Sequence, residues 1–236
     1  QFYLSLSYTV QTNFMDSIMP LVLFDLDNTL IAGDSDYSWG EFLTTKKIVD
    51  SAYFKNKNDQ FYRDYQTGKL DILAYLKFSL APLSGLSHSE LDTLHKEFMK
   101  KIIEPMWLPK AEELLQAHRD KKDTLMVITS TNRFIVTPIC KKLGIEHLIA
   151  TELEEFDNKF TGQVSGIPSF QEGKVKRLNK WLNTSNFKLK ESSFYSDSIN
   201  DLPLLEIVGH PVAVDPCPKL KKEATRRGWK TISLRD

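Results

Sequence analysis

The chain has 236 residues, a formal net charge of zero, 41% hydrophobic residues and 26% charged residues. This is the composition of a folded globular chain, long enough for one large core that carries a smaller unit. The balanced charge leaves no basic footprint for nucleic acid or an anionic membrane surface, and no apolar run is long enough to span a bilayer. Two cysteines, Cys140 and Cys217, read as free thiols of a reducing, cytoplasmic compartment.

Residues 1–18 lack the basic start and continuous apolar run of a signal peptide, and are read as an extension of unknown status. Met19 directly precedes the first strong element and is a candidate start. From Leu21 to Phe24 four apolar residues run together, the pattern of a parallel strand buried on both faces. The run ends in Asp25-Leu26-Asp27-Asn28-Thr29. Ligands of open α/β sheets bind beyond the carboxyl ends of strands, so Asp25 and Asp27 stand where chemistry is expected. Two carboxylates this close repel unless a shared proton or a cation compensates, and oxygen ligands suit Mg²⁺.

The turn that follows offers Asp34 or Ser35 as a helix N-cap. Residues 34–106 then carry apolar and aromatic side chains at helical spacing. Trp39, Phe42 and Leu43 make one face; Phe61, Tyr62, Tyr65 and Leu70 to Leu80 continue it; Leu91, His95 and Phe98 make another. This reads as a helical insert of four or five helices, its aromatic stripe forming the insert's own core, placed as a lid over the strand ends. Pro109 suits the first turn of a helix reaching Asp120. A second buried strand, Thr124–Ile128, leads into Thr129-Ser130-Thr131-Asn132. A helix closed by Gly144, a strand over Ile145–Ala150, a hairpin within 151–167 and a helix over Glu172–Trp181 follow. Strands over Ser193–Tyr195, Pro211–Val214 and Trp229–Leu234 alternate with further helices. The alternation specifies an α/β, doubly wound parallel sheet, with residues 19–33 and 107–236 as core.

Four polar clusters lie at or near strand ends. They are Asp25/Asp27, Thr129, Lys174, and Asp197 with Asn200 and Asp201 in Ser196-Asp197-Ser198-Ile199-Asn200-Asp201. Each has a plainer reading: an Asp-rich turn, an N-cap, a solvated helix lysine, an acidic helix start. Their joint order resembles the four signatures of the haloacid dehalogenase superfamily. The long insert after the first signature, with GDSDYSWGEFL, TGQVSGIPSFQEGK and YSDSINDLPLL, resembles its phosphoserine phosphatase-like subfamily IB. Ser-Asp-Ser replaces the more usual Gly-Asp-Gly at the fourth signature.

The resemblance implies a Mg²⁺-dependent phosphomonoesterase acting on a small phosphorylated metabolite. Asp25 is then the nucleophile and Asp27 the general acid and base. Thr129 and Lys174 bind the phosphoryl group. Asp25, the Asp27 main-chain carbonyl and Asp197 hold the metal, and Asp201 and Asn200 support them. Relatives that act on phosphoserine carry a Glu at the position of Asp34 and a cap Arg that grips the substrate carboxylate. The comparable stretch here, Leu76 to Gly85, has no Arg. Lys77 could replace it, without the bidentate fork. Asp34, with Asp36 and Ser130 nearby, allows an amine-bearing ester such as histidinol phosphate or an amino-alcohol phosphate, phosphoserine being less favoured. Alternatives are a phosphotransferase or phosphomutase on the same nucleophile, or a receiver-like phosphate-binding module, which has no use for Asp27.

Overall fold

The computed structural model describes residues 20–235, so the extension over residues 1–18 and Met19 lie outside the described residues. Six parallel strands form one sheet in the order β3-β2-β1-β6-β7-β8. They are β1 (Leu21–Phe24), β2 (Thr124–Asn132), β3 (His147–Thr151), β6 (Ser193–Ser196), β7 (His210–Val214) and β8 (Lys230–Ile232). The chain winds outward from β1 through β2 to β3, then returns to β6 on β1's other side. The strand order reverses between β1 and β6, the crevice where doubly wound sheets place their ligands.

The unbroken apolar run of β1 has a simple cause. Val22 and Phe24 enter the hydrophobic cluster on one face of the sheet. Leu21 and Leu23 enter the cluster on the other. Helices α5 (Pro109–Asp120) and α6 (Arg133–Lys142) cover the first face; α7 (Glu172–Leu182), α8 (Leu202–Leu205) and α9 (Pro218–Arg227) cover the second.

Between β1 and β2 run α1 (Ser35–Thr45), α2 (Ser51–Gln66), α3 (Ile72–Leu80) and α4 (His88–Phe98), with a tight 3₁₀ turn after α3 and a wider π turn, then a 3₁₀ turn, after α4. Each has a side chain that satisfies its open N–H groups: Asp34, Asp50 and Asp71 accept from the first turn, and Ser87 forms a capping box with Glu90. The insert shares one cluster with the sheet, in which Trp39, Leu76, Leu80 and Phe98 pack in continuity with Phe24 and Val127. Its two ends lie side by side. Ala32 N–H donates to the Met106 carbonyl at 2.8 Å, and Ile31 bridges Trp107. The hairpin β4 (Leu153–Phe156) and β5 (Lys159–Val164) packs against α3 and the turn after it.

Several boundaries differ from the sequence expectation, among them the last strand, which spans Lys230–Ile232 rather than Trp229–Leu234, and two of the shifts have a clear cause. β3 begins at His147 rather than Ile145, because Ile145 N–H closes α6 by donating to the Cys140 carbonyl at 3.0 Å. β2 runs on through Thr129 to Asn132, and Asn132 caps α6 by accepting from Ile135 N–H at 3.2 Å. The capping task is therefore discharged by Asn132, and the Thr129 and Thr131 hydroxyls serve elsewhere. Cys140 is buried and Cys217 half-buried, both as free thiols. Among the described residues no helix is long and apolar enough to cross a membrane.

Candidate active site

Asp25 follows the last residue of β1, and its N–H donates to the Tyr195 carbonyl of β6 at 2.9 Å. Lys174 meets it from the first turn of α7. That helix can start so close to the sheet because residue 173 is glycine: a Cβ there would lie 2.0 Å from the Pro168 carbonyl oxygen. The result is a lysine only 1% exposed. Its Nζ donates to Asp25 Oδ1 and to Asp201 Oδ1, both at 2.7 Å. Burial alone would lower the Lys174 pKa, but the charges of Asp201 and Asp25 outweigh it and hold the ammonium protonated well above its usual range. Ser196 Oγ donates to the second oxygen of Asp201 at 2.7 Å, fixing that carboxylate.

The other oxygen of Asp25, Oδ2, is buried with no partner. Burial pushes the Asp25 carboxyl up to about 7; Lys174 pulls it down, and Asp201 and Asp27 add to the rise. Asp197, beyond the end of β6, is also held well above the carboxylate range, by burial first and by Asp25 and Asp201 next. Its N–H donates to Thr29 Oγ1 at 3.1 Å, and the same hydroxyl donates to Asp197 Oδ1 at 3.2 Å. Thr29 thus ties the two strand-end loops together.

This floor has more carboxylate than cation. Among the described residues no cluster of three or more His, Cys, Asp or Glu side chains is built as a metal cage. The donors on offer are two carboxylates, Asp25 and Asp197, with the Asp27 main chain between them in the loop. That set suits Mg²⁺, which is commonly held by one or two carboxylates and keeps several waters. The unpartnered Asp25 Oδ2 and the mutual repulsion of the carboxylates fit a divalent cation.

The side chain of Asp27 has different partners. Its Oδ1 accepts from Ser35 N–H at 2.6 Å and its Oδ2 from Thr131 Oγ1 at 2.8 Å. Burial raises its pKa and these hydrogen bonds oppose the rise. Thr129 Oγ1 accepts from Thr131 N–H at 3.2 Å, which turns its own hydrogen elsewhere.

Above this floor opens a cavity that Asp25, Asp27, Thr129, Ser130 and Thr131 share with the insert. The insert's wall carries Asp34, Asp36, Tyr37, Tyr62, Tyr65 and Tyr75. Asn58 donates to the Tyr37 carbonyl at 3.0 Å, binding α2 to α1; Gly40 permits that approach, since a Cβ there would lie 2.7 Å from Asn58 Nδ2. Asp34 caps α1 through Tyr37 N–H at 2.8 Å, yet burial and the charges of Asp27, Asp36 and Asp25 hold its carboxyl well above the usual range. Asp36 is pushed up to about 7 by burial, against a hydrogen bond from Tyr75. Among the described residues no Lys or Arg lines the cavity.

Of the residues singled out in the sequence, all but three face this cavity or its floor directly. Asn200 lies behind the floor: its Nδ2 donates to the Tyr65 carbonyl at 2.9 Å and its Oδ1 accepts from Gln171 at 3.1 Å, linking insert to core. Asp201 reaches the floor through Lys174. Lys77 is elsewhere: it is exposed, beside a separate depression with Tyr53, Phe54 and Phe78. Two residues along a helix is a turn of about 200°, so Tyr75 facing the cavity sends Lys77 to the far side. The aromatic stripe also divides. Phe54 and Phe78 stack within the insert, 4.3 Å between centroids, whereas Phe61, Tyr62, Tyr65 and Tyr75 line the cavity. Thr131, Ser35 and the tyrosines were not singled out. The available signal was chemical: Tyr in place of Phe or Leu on an otherwise apolar stripe requires somewhere for its hydroxyl to go.

Residues 22–206 match the haloacid dehalogenase-like hydrolase family, and the chain belongs to it. It is a hydrolase of phosphoric monoesters, as its relatives' names attest. A histidinol-phosphatase of Neisseria meningitidis serogroup C is 48% identical over 219 residues, spanning 91% of this chain and 99% of the relative. A solved structure from Bordetella pertussis, of unknown function, superposes with a TM-score of 0.85 at 41% identity, covering 92% of this chain and 99% of that one. A substrate-bound phosphoserine phosphatase shares the fold, with a TM-score of 0.69 at 21% identity over 91% of this chain and 92% of its own.

Proposed function

We propose that this chain is a Mg²⁺-dependent phosphatase of a small, amine-bearing phosphate monoester, with histidinol phosphate the first substrate to test. The observation that carries the reading is the wall of the cavity. Asp34 and Asp36 stand among four tyrosines, and among the described residues no Lys or Arg lines the space. Burial first, and repulsion from neighbouring carboxylates next, drive both carboxyls toward the neutral form, and an incoming ammonium or imidazolium would restore their ionisation. Tyrosine faces add cation–π attraction. A substrate carboxylate would find no lysine or arginine there to pair with, which disfavours phosphoserine. The 48%-identical histidinol-phosphatase supports the same choice.

In this reading residues 34–106 are the cap and residues 19–33 with 107–236 the catalytic core. A carboxylate oxygen of Asp25 attacks phosphorus as the bond to the leaving oxygen breaks, forming an aspartyl-phosphate. Asp27 delivers its proton to that oxygen and then takes one from the water that hydrolyses the intermediate. While Asp27 is ionised it accepts from Thr131 and Ser35; when it is protonated, the Thr131 hydroxyl can rotate and accept instead. Lys174 neutralises Asp25 and the phosphoryl oxygens, and Thr129 directs its hydroxyl to another. Mg²⁺ held by Asp25, Asp197 and the Asp27 carbonyl would offset the repulsion between nucleophile and phosphate dianion.

The test is a comparison of kcat/KM, with Mg²⁺ present, for histidinol phosphate, O-phosphoserine and glycerol phosphate. The cationic substrate without a carboxylate is expected to lead by on the order of 10-fold or more, the worth of one charged hydrogen bond. Equal rates for all three would defeat the assignment of the wall.

A further inference from the structure

The segment after β8 returns to the reacting loop. Asp215, at the end of β7, takes a left-handed conformation with φ of 39°. There its N–H donates to the Ile232 carbonyl at 3.0 Å, its Oδ1 accepts from Ser233 Oγ at 2.5 Å and its Oδ2 from Leu234 N–H at 2.9 Å. Leu234 is buried in the core cluster. Lys110 Nζ donates to the Arg235 carbonyl at 3.1 Å. So anchored, Arg235 extends its guanidinium to Asn28: Nη2 donates to the Asn28 carbonyl at 3.1 Å, while Nη1 lies 3.6 Å from Asp215 Oδ2.

Asn28 makes a sharp turn. It adopts φ of 59°, the left-handed region that asparagine tolerates better than most residues, and its N–H donates to the Gly33 carbonyl at 2.8 Å. Its carbonyl belongs to the peptide that leads into Thr29, the residue whose hydroxyl bonds Asp197 twice over. The other side of that residue is the acid Asp27.

We infer that Arg235 is a positioning residue for catalysis. By fixing the Asn28–Thr29 peptide it holds Thr29 against Asp197 and keeps the Asp27 carbonyl and carboxyl in register with Asp25. It is not among the residues that line the cavity, so it acts through the loop and not on the substrate. The inference rests on Asp25–Thr29 being the reacting loop, as proposed above.

The experiment uses the full chain and p-nitrophenyl phosphate, an ester without an amine. Arg235→Ala is expected to fold, since the side chain is 35% exposed. Loss of an outer hydrogen-bond partner of a metal site typically costs 10–100-fold in activity or metal affinity. The variant should therefore lose on the order of 10-fold or more in kcat, with KM little changed. The Mg²⁺ concentration that half-saturates the rise in Tm should shift upward by a similar factor. Arg235→Lys, which keeps a donor for the Asn28 carbonyl, should recover much of both. A folded Arg235→Ala protein with kcat and Mg²⁺ response of the parent overturns the inference. So does a loss confined to KM, which would make Arg235 a substrate contact, or a loss in kcat that follows a fall in Tm and that lysine does not lessen. Asp25→Asn run alongside separates the two claims: if it stays active, the reacting loop itself is misassigned.

Discussion

The floor and the wall of the cavity are built on opposite plans. On the floor, the polar atoms that strand ends deliver are mostly spoken for: Lys174 bridges Asp25 and Asp201, Ser196 holds Asp201, Thr29 holds Asp197, and Thr131 and Ser35 hold Asp27. An exception among the described residues is Asp25 Oδ2, buried and without a partner. The wall, made of helices, offers aromatic faces and two carboxyls short of countercharge. A wired floor suits a reaction whose charges must appear at fixed places; a wall of rings and acids suits choosing what enters. The floor is thus expected to govern rate and the wall to govern selection.

The largest effect should come from the floor. Asp25→Asn would replace the proposed nucleophile with an amide and should abolish turnover while the protein stays folded; circular dichroism and a phosphate-release assay decide it, and substantial activity would break the mechanism. Asp27→Asn should be next, with a loss of about 10²–10⁴-fold on alkyl phosphates. Its signature is sharper on p-nitrophenyl phosphate, whose phenolate leaves without help. Stopped flow should show a burst near one equivalent per site and then slow turnover. An undiminished steady state on an alkyl ester would reduce Asp27 to a turn residue.

The wall is predicted to behave differently. Asp36→Asn should lower kcat/KM for an amine-bearing ester on the order of 10-fold, and leave p-nitrophenyl phosphate nearly untouched. It should also stabilise the protein in a defined pH window. Asp36 has its carboxyl raised from 3.8 to about 7 by burial. Between those values the folded state binds the proton that the unfolded state releases, so parent stability falls as pH rises through the window. The variant escapes that loss. Its Tm should match the parent's near pH 4 and exceed it at pH 8, by the equivalent of a few kcal/mol at most. A gap of constant size across this range would contradict the cause. The smallest effect belongs to Lys77→Ala, which should change neither kcat nor KM, since that side chain lies outside the cavity.

The same contrast decided what could be read from the sequence. The parallel sheet and its central strand were legible because burial on both faces demands an unbroken apolar run, and Leu21–Phe24 is one. The floor was legible because its acids sit in short strings at strand ends, where local order is enough to place them. Lys174 was recognisable only by its rank among the other signatures; nothing local distinguishes it from a solvated lysine. Thr131 was missed because its partner Asp27 is 104 residues away. The wall was hidden for another reason. Helical spacing tells which side chains share a face but not what that face meets, so Tyr62 and Tyr65 read as core. Lys77 was drawn in by its place in a string, where only the rotation of α3 could settle its direction.

The stitched ends of the insert have a consequence for how the chain comes together. Pairing Leu21 of β1 with Thr124 of β2 requires closing a loop of about a hundred residues, which costs roughly 4 kcal/mol of chain entropy. The hydrogen bond from Ala32 to Met106 and the bridge from Ile31 to Trp107 bring that loop's neck together. Once the helices have assembled and the neck is shut, the remaining loop is about a third as long, and the closure penalty drops by about 1 kcal/mol. The helical wall, built from contacts near in sequence, is then expected to form before the sheet's first long-range pairing and to lower its cost. Pulse-labelled hydrogen exchange during refolding should find amides of α2 and α3 protected before those of β1; the reverse order would show that the sheet closes without the neck.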